Sequence, residues 1–335
     1  MAAKDSRLDL SDADRIWRRF EPPLMPGPGL LDRLLARGCP GARARHIDFL
    51  DRGVVNSNYR VDLEPTDSGP TTVRLRLSRS AEATAREAAL ADRLPDGTPR
   101  CLVTEACDAP EPHVASLWTW LEGRTLEEHP NDSAGLGDDL ADFLLPVHAT
   151  TFPGYGRLTP GLDVANAPGF HRPSARWLDD LAHRVAVRLE NPAHGLAPDM
   201  TLALRTAAAR VMAPLWSRPP APGSLVHGDL SPGNIIIAPD GCAVGLLDWE
   251  MARAADPAVD AASIDFELAD RWPLLAARAL ERLAAGSPDE WERRLDLARL
   301  PLLIDARMVA RVRHSAPLLE RVDARLDSLV SRWSG

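Results

Sequence analysis

Three side chains in one stretch carry the chemistry of this chain. The run Val226-His227-Gly228-Asp229-Leu230-Ser231-Pro232-Gly233-Asn234 sets an aspartate and, five residues later, an asparagine between the apolar pairs and triplets Leu225-Val226 and Ile235-Ile236-Ile237. A second aspartate, Asp248, follows fourteen residues after Asn234, at the end of Gly245-Leu246-Leu247. One carboxylate to accept the proton of an attacking hydroxyl, with an amide oxygen and a second carboxylate to hold metal ions on nucleotide phosphates, is the set that phosphoryl transfer needs. Asp229 and Asn234 are therefore the expected catalytic residues, and Asn234 and Asp248 the expected Mg²⁺ ligands. A single loop aspartate is usually a turn former or a cap; only the joint spacing separates these three from that reading. His227 is expected to brace the loop through hydrogen bonds and to do no chemistry.

Those residues need strands to bring them to one edge. The turn Asp240-Gly241 suits a hairpin returning the chain from Ile237 to Gly245. Upstream, alternation predicts strands over 47–50, 58–63, 71–77, 102–105 and 114–121, with a helix over 81–94 stopped by Pro95-Asp96-Gly97. Ser11 and Asp14 read as a capping box ahead of a first helix, and Leu30, Leu31, Leu34 and Leu35 as the face of a second. Beyond Gly123 the period is helical almost throughout, with helices expected over 133–149, 174–189, 200–216, 257–270, 272–285, 288–298, 301–313 and 315–333. A small antiparallel β lobe (1–117), a connector (118–123) and a large helical lobe (124–335) result: an α+β, protein-kinase-like outline.

Composition narrows the partners. The 335 residues are 45% hydrophobic and 26% charged with a net charge of −9, ordinary for a globular protein and opposed to the basic face a nucleic-acid binder requires. No apolar run reaches the length of a membrane span and no secretory leader is read at the N-terminus, so a cytoplasmic protein is expected. The four cysteines, Cys39, Cys101, Cys107 and Cys242, lack metal-ligand or disulfide-framework spacing. Oligomeric state is left open. Nearly all positive charge is arginine, since Lys4 is the only lysine.

The run LVHGDLSPGNIII, followed by VGLLDWE and DPAVD, resembles the signature of the aminoglycoside phosphotransferase family, relatives of choline kinase and of protein kinases. Segments over about 46–270 agree: Gly53 to Val61 resembles the nucleotide loop, Leu75-Arg76-Leu77 the third strand, Arg86-Glu87 the first helix, Trp120-Leu121-Glu122-Gly123-Arg124 the hinge, and Leu145-Pro146-Val147-His148-Ala149 a helix end. The resemblance implies ATP and Mg²⁺ as cofactors and the kinase fold. It implies nucleotide contacts from the backbone near Asn56, Ser57 and Asn58, and adenine contacts from the backbone of Thr119 and Leu121. Kinases use a strand lysine paired to a helix glutamate; with no lysine available, Arg76 is the expected phosphate cation, Arg74 the second choice, and Glu87 the partner. Asp260 is expected either to support the catalytic loop or to be an ordinary first-turn helix carboxylate.

In aminoglycoside enzymes, carboxylates of the helical lobe bind substrate ammonium groups. Glu250, Asp265, Glu267 and Asp270 are the candidates here, set against a solvated helix face. The expected function is a small-molecule kinase acting on a hydroxyl of a cationic acceptor, with antibiotic resistance as one use. A metabolic kinase of an amino alcohol, amino acid or sugar would share the same residues. A non-catalytic nucleotide-binding module would draw only on the missing lysine, and a protein kinase lacks its DFG and APE segments.

Overall fold

The computed structural model describes residues 23–50, 56–65, 69–107, 113–129, 131–165, 174–219, 221–241 and 244–334. The helix expected after Ser11, the Gly53–Val55 part of the nucleotide loop, Phe170-His171-Arg172 and Cys242 lie outside them.

A short helix α1 (Leu30–Gly38) leads into five strands, β1 (Ala44–Leu50), β2 (Ser57–Leu63), β3 (Thr72–Ser78), β4 (Cys101–Cys107) and β5 (His113–Thr119), with helix α2 (Ala81–Ala91) between β3 and β4. The antiparallel sheet has the order β1-β2-β3-β5-β4. Alternation sorts its two faces. Tyr59, Val61, Leu63, Val73, Leu75, Leu77, Ala115 and Leu117 pack with Leu30, Leu31, Leu34 and Leu35 of α1 into a core of their own. The opposite face carries Asn58, Arg60, Arg74, Arg76, Ser116 and Trp118, a polar set looking toward the helical lobe. Helix α2 starts where Ser80 Oγ accepts from Ala83 N at 3.1 Å, an N-cap of the usual kind.

The connector is shorter than expected. Trp118 and Thr119 still belong to β5, and the chain leaves the sheet only over residues 120–123 before β6 (Arg124–Thr125). Gly123, at φ 140°, lies where a Cβ would fall 2.2 Å from the Ile237 carbonyl oxygen, so only glycine lets the connector lie down on the helical lobe.

That lobe is built on α3 (Ala134–Ala149), α4 (Trp177–Glu190), α5 (Pro198–Met212), α6 (Ala258–Glu267), α7 (Pro273–Gly286), α8 (Trp291–Val312) and α9 (Ala316–Ser334) around one continuous apolar core. Two small sheets are set into it. One joins Thr151–Phe152 (β7), Gly156–Leu158 (β8), Val164–Ala165 (β9), Gly223–Val226 (β10) and Arg253–Ala255 (β13) in the order β7-β10-β13-β8-β9; the other joins β12 (Val244–Leu246), β11 (Ile235–Ile237) and β6. The expected hairpin is thus β11–β12, with Gly241 at φ 76° in its turn, whereas Leu225-Val226 pairs elsewhere. The two helices expected over 288–298 and 301–313 are one. Pro301 removes an N–H that Leu297 would have received, yet Leu295, Leu300, Leu303 and Ile304 stay buried and carry the helix through. No helix among the described residues is long and apolar enough to cross a membrane.

Candidate active site

The catalytic-type loop leaves β10 at Val226 and is tied down from behind by one carboxylate. Asp260, in the first turn of α6 and fully buried, accepts from the backbone N–H of His227 (2.9 Å) and of Gly228 (2.8 Å), and its Oδ2 lies 2.9 Å from His148 Nε2 of α3. Burial alone would raise this carboxyl, but the hydrogen bond and charge of His148, with His227 and the Gly228 N–H, hold it below its ordinary range. Gly228 sits at φ 81° with its Cα facing the Met251 carbonyl, where a Cβ would come within 2.7 Å. His227 braces the other side: Nε2 donates to the Leu247 carbonyl (2.8 Å), Nδ1 accepts from Asp229 N (3.2 Å), and the ring lies 4.6 Å from the buried ring of Trp249. These bonds fix the tautomer and link the Asp229 loop to the residue before Asp248.

Asp229 and Asn234 touch, and the backbone beside Asp248 is tied to Asn234. Asn234 Nδ2 donates to the Asp229 carbonyl (3.0 Å) and lies 3.4 Å from Asp229 Oδ2, while the Asn234 carbonyl accepts from Leu247 N at 2.8 Å. Asp229 opens onto the cleft. The walls still strip water from its carboxyl and push it up; Asp248 and Glu250 push the same way, against His227 and the Asn234 hydrogen bond. Asp248 takes the left-handed conformation (φ 60°, ψ 68°) that a non-glycine residue rarely adopts, which turns its side chain back toward the loop.

A divalent cation fits this set. Asn234 has its amide nitrogen committed to Asp229, and Asp248 Oδ1 is sealed from water with no hydrogen bond among the described residues, only the 3.5 Å ion-pair approach of Arg76 Nη2. Among the described residues no cluster of three or more His, Cys, Asp or Glu forms a closed cage. An ion held here takes its remaining ligands from phosphate and water, which is the habit of Mg²⁺.

Arg76, the expected phosphate cation, is buried on β3. Its side chain is 3% exposed; Nη1 meets Glu87 Oε2 of α2 at 2.5 Å, and Nη2 meets Glu250 Oε2 at 2.9 Å and Asp248 Oδ1 at 3.5 Å. Burial would lower its pKa, but the three carboxylates outweigh that and hold the charge on more firmly than water does. Arg76→Ala would leave Glu87 buried without a counter-charge and should cost about 3 kcal/mol of stability. Adding Glu87→Gln should recover a good part of the loss in a denaturant titration. An unfolding midpoint unmoved by Arg76→Ala would show the pair to be idle.

Several expected contacts fall elsewhere. Glu250 is turned to the small sheet: Asn56 Nδ2 (2.8 Å) and Arg76 hold its carboxylate, and Arg86 of α2 donates to its carbonyl at 2.8 Å. Ser57 points away from the cleft, its Oγ accepting from Leu24 N, because β2 alternation places it on the α1 face. Asn58 does face the cleft, with Oδ1 buried and unpartnered. Thr119 donates its N–H to the Arg100 carbonyl and accepts from Arg100 N through Oγ1, so its N–H is taken by the sheet; for Leu121, past the strand end, no backbone hydrogen bond is found among the described residues. Asp265 is ion-paired to Arg299 and Arg325, and Asp270 to Arg321 and Arg325, because α8 and α9 present arginines to that side of α6. Glu267 alone of the four has no hydrogen bond or ion pair of its own among the described residues, and it lies near Asp229. His148 and Arg86 were not singled out as site residues; a buried helix-end histidine and a helix arginine leave no spacing signal.

A family model described as the phosphotransferase enzyme family (APH) matches residues 46–273, more than half of the chain. The chain belongs to that family. The uncharacterized protein YcbJ of Bacillus subtilis (strain 168) is 31% identical to this chain over 133 residues, which cover 40% of this chain and 38% of YcbJ. The aligned stretch therefore spans well under half of that relative. Among solved structures, aminoglycoside phosphotransferase APH(4)-Ia superposes with a TM-score of 0.66 at 16% identity, over 91% of this chain and 98% of that one. A thermostable mutant of it in ternary complex with AMP-PNP and hygromycin B gives 0.65 at 15% identity over 91% and 99%. The GDP and kanamycin complex of APH(2")-IIia gives 0.59 at 15% identity over 91% and 99%. At such identities the likeness is one of fold: the phosphotransferase has the aminoglycoside-kinase-like two-lobed architecture.

Proposed function

We propose that this phosphotransferase moves the γ-phosphate of ATP, with Mg²⁺, to a hydroxyl of a small cationic molecule. The supporting observation is the junction of Asp229, Asn234 and Asp248, held by His227 and Asp260 at the mouth of a cleft roofed by Arg76. Asp229 accepts the proton of the acceptor hydroxyl as that oxygen bonds to the γ-phosphorus; the bond from the γ-phosphorus to the bridging oxygen breaks, and ADP leaves with the electron pair. Its raised pKa makes Asp229 a stronger base. Asn234 and Asp248 would hold Mg²⁺, which would offset the negative charge of the phosphates. Arg76, freed in part from Glu250, offsets charge on the transferring group. Leu121 offers backbone groups to the base, and Asn56 and Asn58 border the phosphates.

Glu267 is the acceptor's anchor in this reading. Burial raises its carboxyl to about 7, Asp229 adding to the shift and Arg321 opposing it. A raised carboxyl is neutral below that value and anionic above it, so its folded-state stability contribution is greatest at low pH and is lost as pH rises through about 7. A bound ammonium group relieves the ionised form. The KM of a cationic acceptor should accordingly fall as pH rises across neutrality, and Glu267→Gln should flatten that dependence while leaving the KM of ATP alone. A pH profile identical in both proteins would remove Glu267 from the acceptor site.

The whole reading is tested by incubating the protein with ATP, Mg²⁺ and a panel of amino-containing antibiotics, choline-like alcohols and small sugars, read by the mass gain of one phosphate. Phosphorylation confined to cationic members is the expected result. Tight nucleotide binding with no acceptor modified across the panel would instead favour a non-catalytic module. Resistance to an antibiotic is one use the reading permits, and a metabolic amino-alcohol kinase is another; the same panel separates them.

A further inference from the structure

The cleft face of the small sheet carries a second arginine that the chemistry above leaves unused. Arg74 lies two residues before Arg76 on β3, flanked by Arg60 of β2 and Trp118 of β5. Its guanidinium carbon rests 5.5 Å from the Trp118 ring centroid. Nε and Nη2 are shut off from water and meet no acceptor. The carboxylates that would neutralise it, Glu87 and Asp248, are both engaged by Arg76. A covered donor without an acceptor is unfavourable by the desolvation it suffers, and such a group in a folded protein calls for an explanation.

Its position supplies one. Trp118 is the last residue but one of β5, so Arg74 sits beside the start of the connector, while Arg76 and Asp248 mark the phosphate end of the cleft. A nucleotide spanning from Leu121 to Arg76 must pass its purine under Arg74. Arginine is a donor only. A purine that turns its N1 edge to the connector backbone presents N7 as an acceptor on the neighbouring edge, and adenine and guanine share that atom.

We propose that Arg74 is a nucleotide-binding residue that donates a hydrogen bond to purine N7, with the Trp118 ring as the surface against which its guanidinium rests before the base arrives. This rests on the nucleotide-cleft reading given under Proposed function, but it is separable from it, because binding is measured without an acceptor and without turnover. Among the described residues no hydrogen bond or ion pair of its own is found for the guanidinium, which rests by the Trp118 ring, so a small rotation off the ring brings its donors to the base.

The test is a calorimetric titration of the wild type with ADP and with 7-deaza-ADP, which replaces N7 by C–H, in the presence of Mg²⁺. The wild type should bind the deaza analogue about tenfold more weakly, the worth of one charge-assisted hydrogen bond. Arg74→Met, which keeps the length of the side chain and drops its donors, should bind both at the weaker affinity; Arg74→Lys, with one compact donor, should keep part of the difference. Equal affinities in the wild type would overturn the assignment while leaving phosphoryl transfer intact, and need no variant that folds. Full discrimination retained in Arg74→Met would also overturn it, since another group would then be reading N7. A wild type that bound neither nucleotide would sink the phosphotransferase cleft itself and this contact with it.

Discussion

Asp229→Ala should lower turnover by about a thousandfold or more while nucleotide affinity stays within a fewfold of wild type. The asymmetry follows from where the side chain sits. Asp229 touches Asn234 and opens onto the cleft, and the cation of the phosphate end, Arg76, is bound to Glu87, Glu250 and Asp248 rather than to it. On the proposed reading, removing its carboxylate takes away the proton acceptor and the group that aims the hydroxyl, both of which act in the transition state. It leaves the roof untouched. The loop should also survive: the backbone of residues 227 and 228 is held by Asp260, and Asn234 still donates to the carbonyl of residue 229. Single-turnover rates and a nucleotide titration on the same preparation make the comparison. Turnover within tenfold of wild type would mean that another group takes the proton, and would remove Asp229 from the chemistry.

How much of this was visible beforehand depended on whether a residue acts through local spacing or through a distant partner. Asp229, Asn234 and Asp248 lie in loops bounded by β10, β11 and β12, and a short-range pattern of apolar runs points to those loops even though β10 pairs with β13 and not with the hairpin. The strands of the small sheet were legible because β2 alternates strictly between a core face and a cleft face. That same alternation turns the Ser57 side chain to the face it shares with Tyr59 and Val61, leaving only its backbone on the cleft side. The acidic residues were misread for another reason. A row of Asp265, Glu267 and Asp270 has no direction in sequence, and only the arginines of α8 and α9, thirty to sixty positions downstream, settle that two of the three are already neutralised. Glu250 follows the metal-type aspartate by two residues and looked like acceptor chemistry, yet it bonds to residues 174 and 194 positions away. Pro301 misled in the opposite sense: its missing N–H predicts a break, and tertiary burial of the flanking leucines overrides it.

Asp260→Asn should be the most damaging isosteric change in the molecule. The carboxylate receives two backbone N–H groups and faces His148, so all three neighbours are donors or a ring nitrogen that can donate. Asparagine keeps the shape but replaces one oxygen by an NH₂, which must then point at a donor in a site where neither water nor rotation offers relief. A stability loss of about 3 kcal/mol is the expected order, that of a buried charged hydrogen-bond set broken on one side. The effect has a pH signature. Because the folded carboxyl is held below its ordinary value, its stabilisation is full above the unfolded carboxyl range and disappears as pH falls through the folded value; the asparagine variant should lose that part of the acid dependence. Activity should fall further than stability explains, since Asp260 fixes the two residues immediately before Asp229. A variant held folded at low temperature would still turn over slowly, with nucleotide affinity preserved because no bond of Asp260 reaches Arg76. Equal turnover per folded molecule in wild type and Asp260→Asn would show that the Asp229 loop keeps its geometry unaided, and Asp260 would then be a stability residue only.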